Sequence, residues 1–293
     1  MAEYSIKDLE KLSGIKAHTI RIWEKRYGIV KPARTGTNRR VYSDAELRKL
    51  INIAFLNRNG YKISRIASMS LKEIEENVSF LTHDNSRGDN RIDSLIIAML
   101  KLDELSFNKL LTNYILNHGF ENSFIRVIFP FLRRVGTLWM TGAVTPGQEH
   151  FVSSLIQRKL LFSIETYTQR PKEGGKKILL FLPENELHDI SLLFYTYIAK
   201  KSGHDVLYLG SMTPLDSVRN SLNTWPADII VTGTSTEMPV ERKSGFINEL
   251  SGLFSNQLVI IMGTLKDGIK DNQMDNVRTA ADINDFTELI NAR

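Results

Sequence analysis

Trp139 to His150 reads WMTGAVTPGQEH, and the division of the chain turns on this stretch. The apolar helical periodicity that runs up to Trp139 stops at Gly142. Thr145-Pro146-Gly147-Gln148 then opens a new helix, with Thr as N-cap, Pro at the first helical position and Gln where it can reach back to the cap's own N–H. Glu149 and His150 fall in the opening turns of that helix. A tight helix–helix corner thus gathers an indole, a carboxylate and an imidazole. Such a corner suits the lid of a ligand site or an ordinary bundle corner, and the rest of the chain has to decide between them.

Upstream of the corner, Ile92, Leu95, Ile96, Met99 and Leu100 predict one helix, and Phe107, Leu110, Leu111, Tyr114 and Ile115 a second. Phe124, Val127, Ile128, Phe131, Leu132 and Val135 predict a third, kinked by Pro130. Phe151, Leu155, Ile156 and Leu160 continue the helix begun at Thr145. Four amphipathic helices with short turns over residues 92–172 read as a four-helix bundle. His118, before the Gly119 stop, reads as a polar helix end.

Residues 1–80 have a different character. Residues 1–60 hold 13 Lys/Arg against 6 Asp/Glu, a balance of +7; the whole chain is +5, so the remainder sums to −2. Basic charge confined to one end points to a polyanionic partner there. Ser5 and Asp8 form a capping pattern ahead of Ile6, Leu9 and Leu12, Gly14 breaks it, and Ile15, Ile20 and Trp23 mark a second helix ending near Tyr27-Gly28. Two short helices and a Gly-containing turn read as helix-turn-helix. The second helix carries His18, Thr19, Arg21, Lys25 and Arg26 at polar positions, suited to base edges and phosphates, with Ile20, Ile22 and Trp23 as its apolar complement. KPARTGTNRRVYSD follows as a hairpin wing bearing Arg34, Gly36, Arg39, Arg40 and Tyr42, whose arginines would grip phosphates. Ser43 to Glu46 is a full capping box for a third helix, and Ile63, Ile66 and Ala67 start a fourth. Residues 81–91, polar and without apolar period, read as a hinge-like linker.

Downstream, residues 175–293 alternate strand and helix. ILLFL after Lys177 is a continuous apolar run closed by Pro183, as a buried parallel strand requires. A helix from Glu186 to Lys201 follows. Strands at Val206–Leu209, Ile229–Thr232 and Leu258–Met262, and a weaker one near Val277–Ala280, alternate with further helices. The expected fold is a doubly wound, Rossmann-like parallel sheet with ligands at the carboxyl ends of the strands. Glu186-Leu187-His188 lies at such an end. A His there can offer one ring nitrogen to a metal while a neighbouring carboxylate orients the other, although one His makes no metal site by itself. His204 reads as a surface residue.

At 293 residues, two or three domains are expected. The absence of cysteine excludes disulfides and thiolate metal sites, and with no apolar run of membrane length a cytoplasmic protein is expected. No constellation of acid, base and nucleophile marks an enzyme.

The stretch YSIKDLEKLSGIKAHTIRIWEKRYGIVKPARTGTNRRVYSDAELRKL resembles the DNA-binding domain of MerR-type transcription regulators, in the branch that carries cobalamin-binding domains. Trp139, nine residues, then Glu149-His150 is similar to the Trp-x9-Glu-His signature of the CarH/LitR-type light-responsive regulators, where it covers the upper face of adenosylcobalamin. Glu186-x-His188 is similar to the Asp/Glu-x-His-x-x-Gly motif, whose His is the lower cobalt ligand. The family's Ser-x-Leu loop corresponds to Gly233-Thr234-Ser235-Thr236, and its later Gly-Gly to Gly263-Thr264. The motif's glycine is Ser191 here, so Ser191 and Thr264 narrow the slot that small residues leave for a nucleotide tail. Met140 stands where some light-responsive members have a His.

The resemblance implies a DNA-binding repressor that pairs on double-stranded operator DNA as a homo-oligomer, dimer or tetramer, and is switched by adenosylcobalamin and light. Two alternatives remain at this point. One is a cobalamin-independent regulator of the same fold controlled by a protein partner such as an antirepressor; the other is a corrinoid methyl-carrier module.

Overall fold

Ser5 opens the first element. Its Oγ accepts the Asp8 N–H at 3.3 Å while the Asp8 carboxylate accepts the Ser5 N–H at 2.8 Å, a reciprocal cap on α1 (Ile6–Ser13). Gly14, at φ +70°, ends that helix. The next helix, α2 (Ala17–Tyr27), borrows its cap: the Glu10 carboxylate of α1 accepts the Ala17 N–H at 3.2 Å, a bond that also holds the Glu10 carboxyl below its usual range. The computed structural model describes residues 4–34, 40–83, 88–140, 144–167, 171–235, 240–266 and 274–292. Arg39, Gly36, Gly142 and Thr236 lie outside the described residues, as do the side chains of Arg34 and Met140.

A two-stranded wing, β1 (Ala33–Arg34) and β2 (Arg40–Val41), pairs antiparallel. Tyr42 exchanges two backbone hydrogen bonds of 2.9 Å with Tyr4, which pins the wing to the N-terminal segment. The Ser43 Oγ caps α3 (Asp44–Arg58), but the full box expected there is only half made. The Glu46 carboxylate accepts the Lys31 N–H at 2.9 Å instead, because that donor lies outside the β1–β2 ladder and takes the nearby acceptor. After α4 (Ile63–Ala67) comes α5 (Leu71–His83), a helix the apolar spacing above does not announce. Ser70 and Glu73 cap it reciprocally at 2.7 and 3.2 Å. Helix then resumes with α6 (Gly88–Leu100), so the segment expected as a hinge is helical through 83 and from 88, and residues 84–87 lie outside the described residues.

In the bundle, α7 (Glu104–His118) is capped by Asp103, and α8 (Phe120–Ser123) runs through a π turn (Phe124–Ile128) into α9 (Phe129–Met140). Pro130, where a kink is expected, stands just after this π segment. Proline has no N–H for the Arg126 carbonyl and its ring crowds that turn, so the helix widens and the Phe129 N–H reaches back five residues to Phe124. Phe107 and Phe131 meet at 5.6 Å in the core between α7 and α9. Thr145 and Gln148 reciprocate as expected at the start of α10 (Pro146–Glu165), and the Gln148 side-chain amide also donates to the Leu100 carbonyl at the end of α6.

The chain forms two compact units, Met1–Leu155 and Ile156–Arg293. The second unit is built on five parallel strands: β3 (Lys177–Phe181), β4 (Asp205–Gly210), β5 (Ile229–Thr234), β6 (Leu258–Gly263) and β7 (Val277–Thr279). Their spatial order is β4-β3-β5-β6-β7. Helices α11 (Ile190–Lys201) and α14 (Ile283–Asn291) pack together, with Tyr195 edge-on to Phe286 at 4.6 Å. Helices α12 (Leu215–Thr224) and α13 (Val240–Leu253) cover a core of Leu179, Phe181, Ile230, Leu250, Val259 and Ile261. Strand order reverses between β3 and β5, and in this architecture ligands bind in the crevice at that switch point. Among the described residues, no helix is long and apolar enough to cross a membrane.

Candidate functional site

On helix α2, His18, Arg21, Lys25 and Arg26 are exposed and Thr19 is half-buried. Ile20 and Trp23 are buried, but Ile22, expected inside, is 53% exposed and shares the outer face with the basic residues. Helical period explains this: Arg21 and Ile22, between the core positions Ile20 and Trp23, both point outward. Arg40 and Tyr42, expected as wing contacts with DNA, both reach Glu24 of α2. The Arg40 Nε donates to Glu24 Oε1 at 3.1 Å, and the Tyr42 hydroxyl donates to Glu24 Oε2 at 3.2 Å. Tyr42 is buried, and that burial, with Glu24 beside it, pushes its phenol up to about 12. Its place is between wing and helix, as a strut.

At the corner, Trp139 is 54% exposed in the last turn of α9. An indole this exposed is placed for contact rather than for core. His150 is exposed with its Nε2 3.5 Å from Glu149 Oε2, and Glu149 Oε1 accepts the Ser153 hydroxyl at 2.6 Å.

The second unit holds the other candidates. Helix α11 begins only at Ile190, so Glu186 and His188 sit in the loop after β3 and not, as expected, at a helix start. Pro183 and Asn185, the latter at φ +70°, turn the chain so that the Glu186 side chain faces inward. Glu186 is 2% exposed, and its carboxylate accepts three N–H groups: the His188 ring Nδ1 at 2.7 Å, the His188 backbone at 2.9 Å and the Ser235 backbone, at the end of β5, at 2.8 Å. A buried carboxylate on Nδ1 fixes the tautomer with its proton there and the lone pair on Nε2. The His188 side chain is 69% exposed. This pair lies at the β3/β5 switch point.

Sequence reasoning missed the supports of that loop. Asp189 accepts from the Gln157 amide at 2.6 Å and from the Tyr208 hydroxyl at 3.0 Å, and burial, then Asp189, raises the Tyr208 phenol. Met212, at φ +54°, donates its N–H to the Glu186 carbonyl at 3.2 Å. The Asp directly after His188 and before a helical run is the one signal that pointed here. His204, expected on the surface, is buried, its Nδ1 accepting the Lys176 N–H at 3.1 Å.

The small residues at the ends of β5 and β6 serve the sheet. A Cβ on Gly263 would stand 2.1 Å from the Thr234 carbonyl, and one on Gly233 2.6 Å from the Met262 carbonyl. Gly233 and Thr234 belong to β5, not to a loop. The Thr234 and Thr264 hydroxyls are 3.0 Å apart, Thr264 also donates to the Thr234 carbonyl, and Lys243 of α13, 5% exposed, donates to the Thr264 carbonyl at 2.7 Å. On the same face of β5 the Thr232 hydroxyl is buried without a hydrogen-bond partner among the described residues. Ser191 lies exposed in the first turn of α11.

Two family models match the chain. Residues 4–73 match the MerR HTH family of regulatory proteins, and residues 91–161, which include Trp139, Glu149 and His150, match the B12 binding domain. The chain thus carries a segment similar to the MerR HTH regulatory proteins, followed by a helical segment similar to the B12 binding domain. The chain is 26% identical over 249 residues to the HTH-type transcriptional repressor CarH of Myxococcus xanthus, covering 82% of each. It is also 26% identical to the repressor CarA of the same organism, covering 77% of this chain and 74% of CarA. Among solved structures, the monomethylamine corrinoid protein of Methanosarcina barkeri superposes with a TM-score of 0.54 at 14% identity, over 69% of this chain and 98% of that one, a likeness of fold.

Proposed function

We propose that this MerR-type regulator is a repressor that reads operator DNA as a homo-oligomer and is switched by adenosylcobalamin and by light. The observation that carries the reading is the Glu186–His188 pair at the switch point of the sheet, in a chain that also bears the MerR-type reader and the B12-binding-type helices. A corrin brings its own four nitrogen donors to cobalt and asks the protein for one more. Among the described residues no group of three His, Asp or Glu could hold a bare metal ion, whereas one oriented imidazole suits a metal already held in a macrocycle. When bound, the cobalamin would supply a cobalt centre, and His188 is the residue that would hold it.

The chain's own residues divide the work. Glu186 holds the His188 ring in one tautomer and orientation, and Ser235 and Met212 hold Glu186. Trp139, Glu149 and His150, in the segment that matches the B12 binding domain, would supply further contacts to the ligand. Thr234, Ser235, Gly263 and Thr264 flank its tail, with Ser191 nearby. On DNA, His18, Thr19, Arg21, Lys25 and Arg26 read the major groove, and Arg34, Arg39 and Arg40 meet phosphates while Tyr42 braces the wing. Ligand acts by favouring one oligomeric arrangement, which raises the effective concentration of paired readers.

Mixing the protein with adenosylcobalamin in darkness should give co-eluting cobalamin absorbance and a larger molecular mass, reversed by green light. Failure to retain the cofactor rejects the proposal; retention with no change in mass or DNA binding on illumination removes its light arm, the arm that Met140 makes most exposed to test. A second reading, a regulator of the same fold that needs no cobalamin and answers to a protein antirepressor, is favoured by the Thr234–Thr264–Lys243 closure at the ends of β5 and β6. That reading expects no retention.

Arg21→Ala should weaken operator binding by about 10–100-fold, the worth of one good base contact, with a much smaller loss on unrelated duplex. Competition titrations on both DNAs measure this. Equal losses would make Arg21 a phosphate contact.

A further inference from the structure

Asp93, on α6, is 1% exposed, and each of its carboxylate oxygens takes a different arginine. Oδ2 accepts from Arg58 Nη1 at 2.5 Å, and Oδ1 accepts from Arg134 Nη1. Arg58 is the last residue of α3 in the DNA reader, and Arg134 lies on α9 in the bundle. The second terminal nitrogen of Arg58 donates to the carbonyl of Ser13, at the end of α1 and three residues before Lys16, the N-cap of α2. Gly14 completes the fit, since a Cβ there would stand 2.6 Å from that same nitrogen. Helix α6 packs against both α3 and α9.

One carboxylate therefore clamps the reader to the bundle across the segment expected to be a hinge. An unpaired buried carboxylate is costly, so Asp93 cannot release either arginine without penalty, and small shifts of α9 are resisted or passed on whole. The forked guanidinium of Arg58 carries any such shift to the α1–α2 turn, because its two donors are fixed in one plane.

We propose that Asp93 is the positioning residue through which the helical bundle sets the pose of the DNA reader. The inference rests on the geometry of the first unit; only its DNA readout rests on the function proposed above.

Because the chain has no cysteine, single cysteines introduced at exposed Lys7 on α1 and exposed Leu116 on α7 can be spin-labelled without background. In the full chain, the label-to-label distance distribution should be narrow in the otherwise unchanged protein and broad in Asp93→Asn. Arg134→Gln, which leaves the Arg58–Asp93 pair in place, should broaden it too and serves if Asp93→Asn fails to fold. Binding to a duplex selected by the wild-type protein from a random pool should fall at least tenfold in either variant, and binding to unselected duplex less than twofold. A folded variant with an unchanged distance distribution overturns the proposal. So does a broadened distribution with equal losses on both DNAs, since the clamp would then brace the structure without setting the reader's pose. If the wild-type chain selects no duplex, the DNA-reading function fails, and the distance measurement alone still tests the clamp.

Discussion

His188→Ala is expected to change the absorbance of the protein-bound cobalamin in darkness and to weaken retention by more than about 100-fold. Loss of an outer partner of a metal-bound His typically costs 10–100-fold in affinity, and loss of the ligand itself should exceed that. The protein should otherwise be unharmed. The His188 side chain is 69% exposed, and substitutions at such positions usually change stability by no more than about 0.5 kcal/mol. Glu186→Gln supplies the comparison. It keeps the shape of the side chain but replaces a carboxylate that accepts three N–H groups by an amide with a single acceptor oxygen. Retention should drop by about 10–100-fold, and stability by about 1–3 kcal/mol from donors left unmet in a buried site. Equilibrium dialysis, absorbance spectra and thermal unfolding read all three quantities. A spectrum unchanged by His188→Ala would place the lower ligand elsewhere.

Gly263→Ala should be among the most damaging single changes in the second unit, although it adds only one methyl group. Gly263 ends β6 at φ +66°, where an L side chain costs about 1–2 kcal/mol, and its Cβ would stand 2.1 Å from the Thr234 carbonyl on the neighbouring strand. Forcing β5 and β6 apart to admit that carbon adds about 1–3 kcal/mol of overpacking. A total loss of roughly 2–5 kcal/mol should lower Tm by about 4–20 °C at the 2–4 °C per kcal/mol usual for units of this size. Gly245→Ala, in α13 with nothing within 4 Å of the added Cβ, should instead raise stability by about 0.5–1 kcal/mol. Similar melting of the two variants and the parent would show that β5 and β6 can separate at little cost. The glycine that the family resemblance assigns to ligand space would then have no structural requirement behind it.

The elements whose information is local were readable from the chain. Ser5–Asp8 and Thr145–Gln148 cap their helices by bonds three residues apart, and the run from Ile178 to Phe181 is apolar throughout because the strand is covered on both faces. Ser70–Glu73 was equally local and went unread because the helix behind it is marked more by its cap than by apolar spacing.

The sequence by itself determined the strand–helix alternation, the basic reader and the candidacy of Trp139, Glu149 and His188, since each rests on residue type and short spacing. Only the tertiary structure decided which partners they take. It brought Ser235 from the end of β5 to Glu186 after β3, because β3 and β5 are neighbours in the sheet though separated in sequence by β4. It turned Tyr42 inward onto Glu24, and it set Asp93 between arginines 35 residues before it and 41 after it. These are bonds between groups that no local period relates. A buried carboxylate must find its donors wherever the packed helices and strands present them.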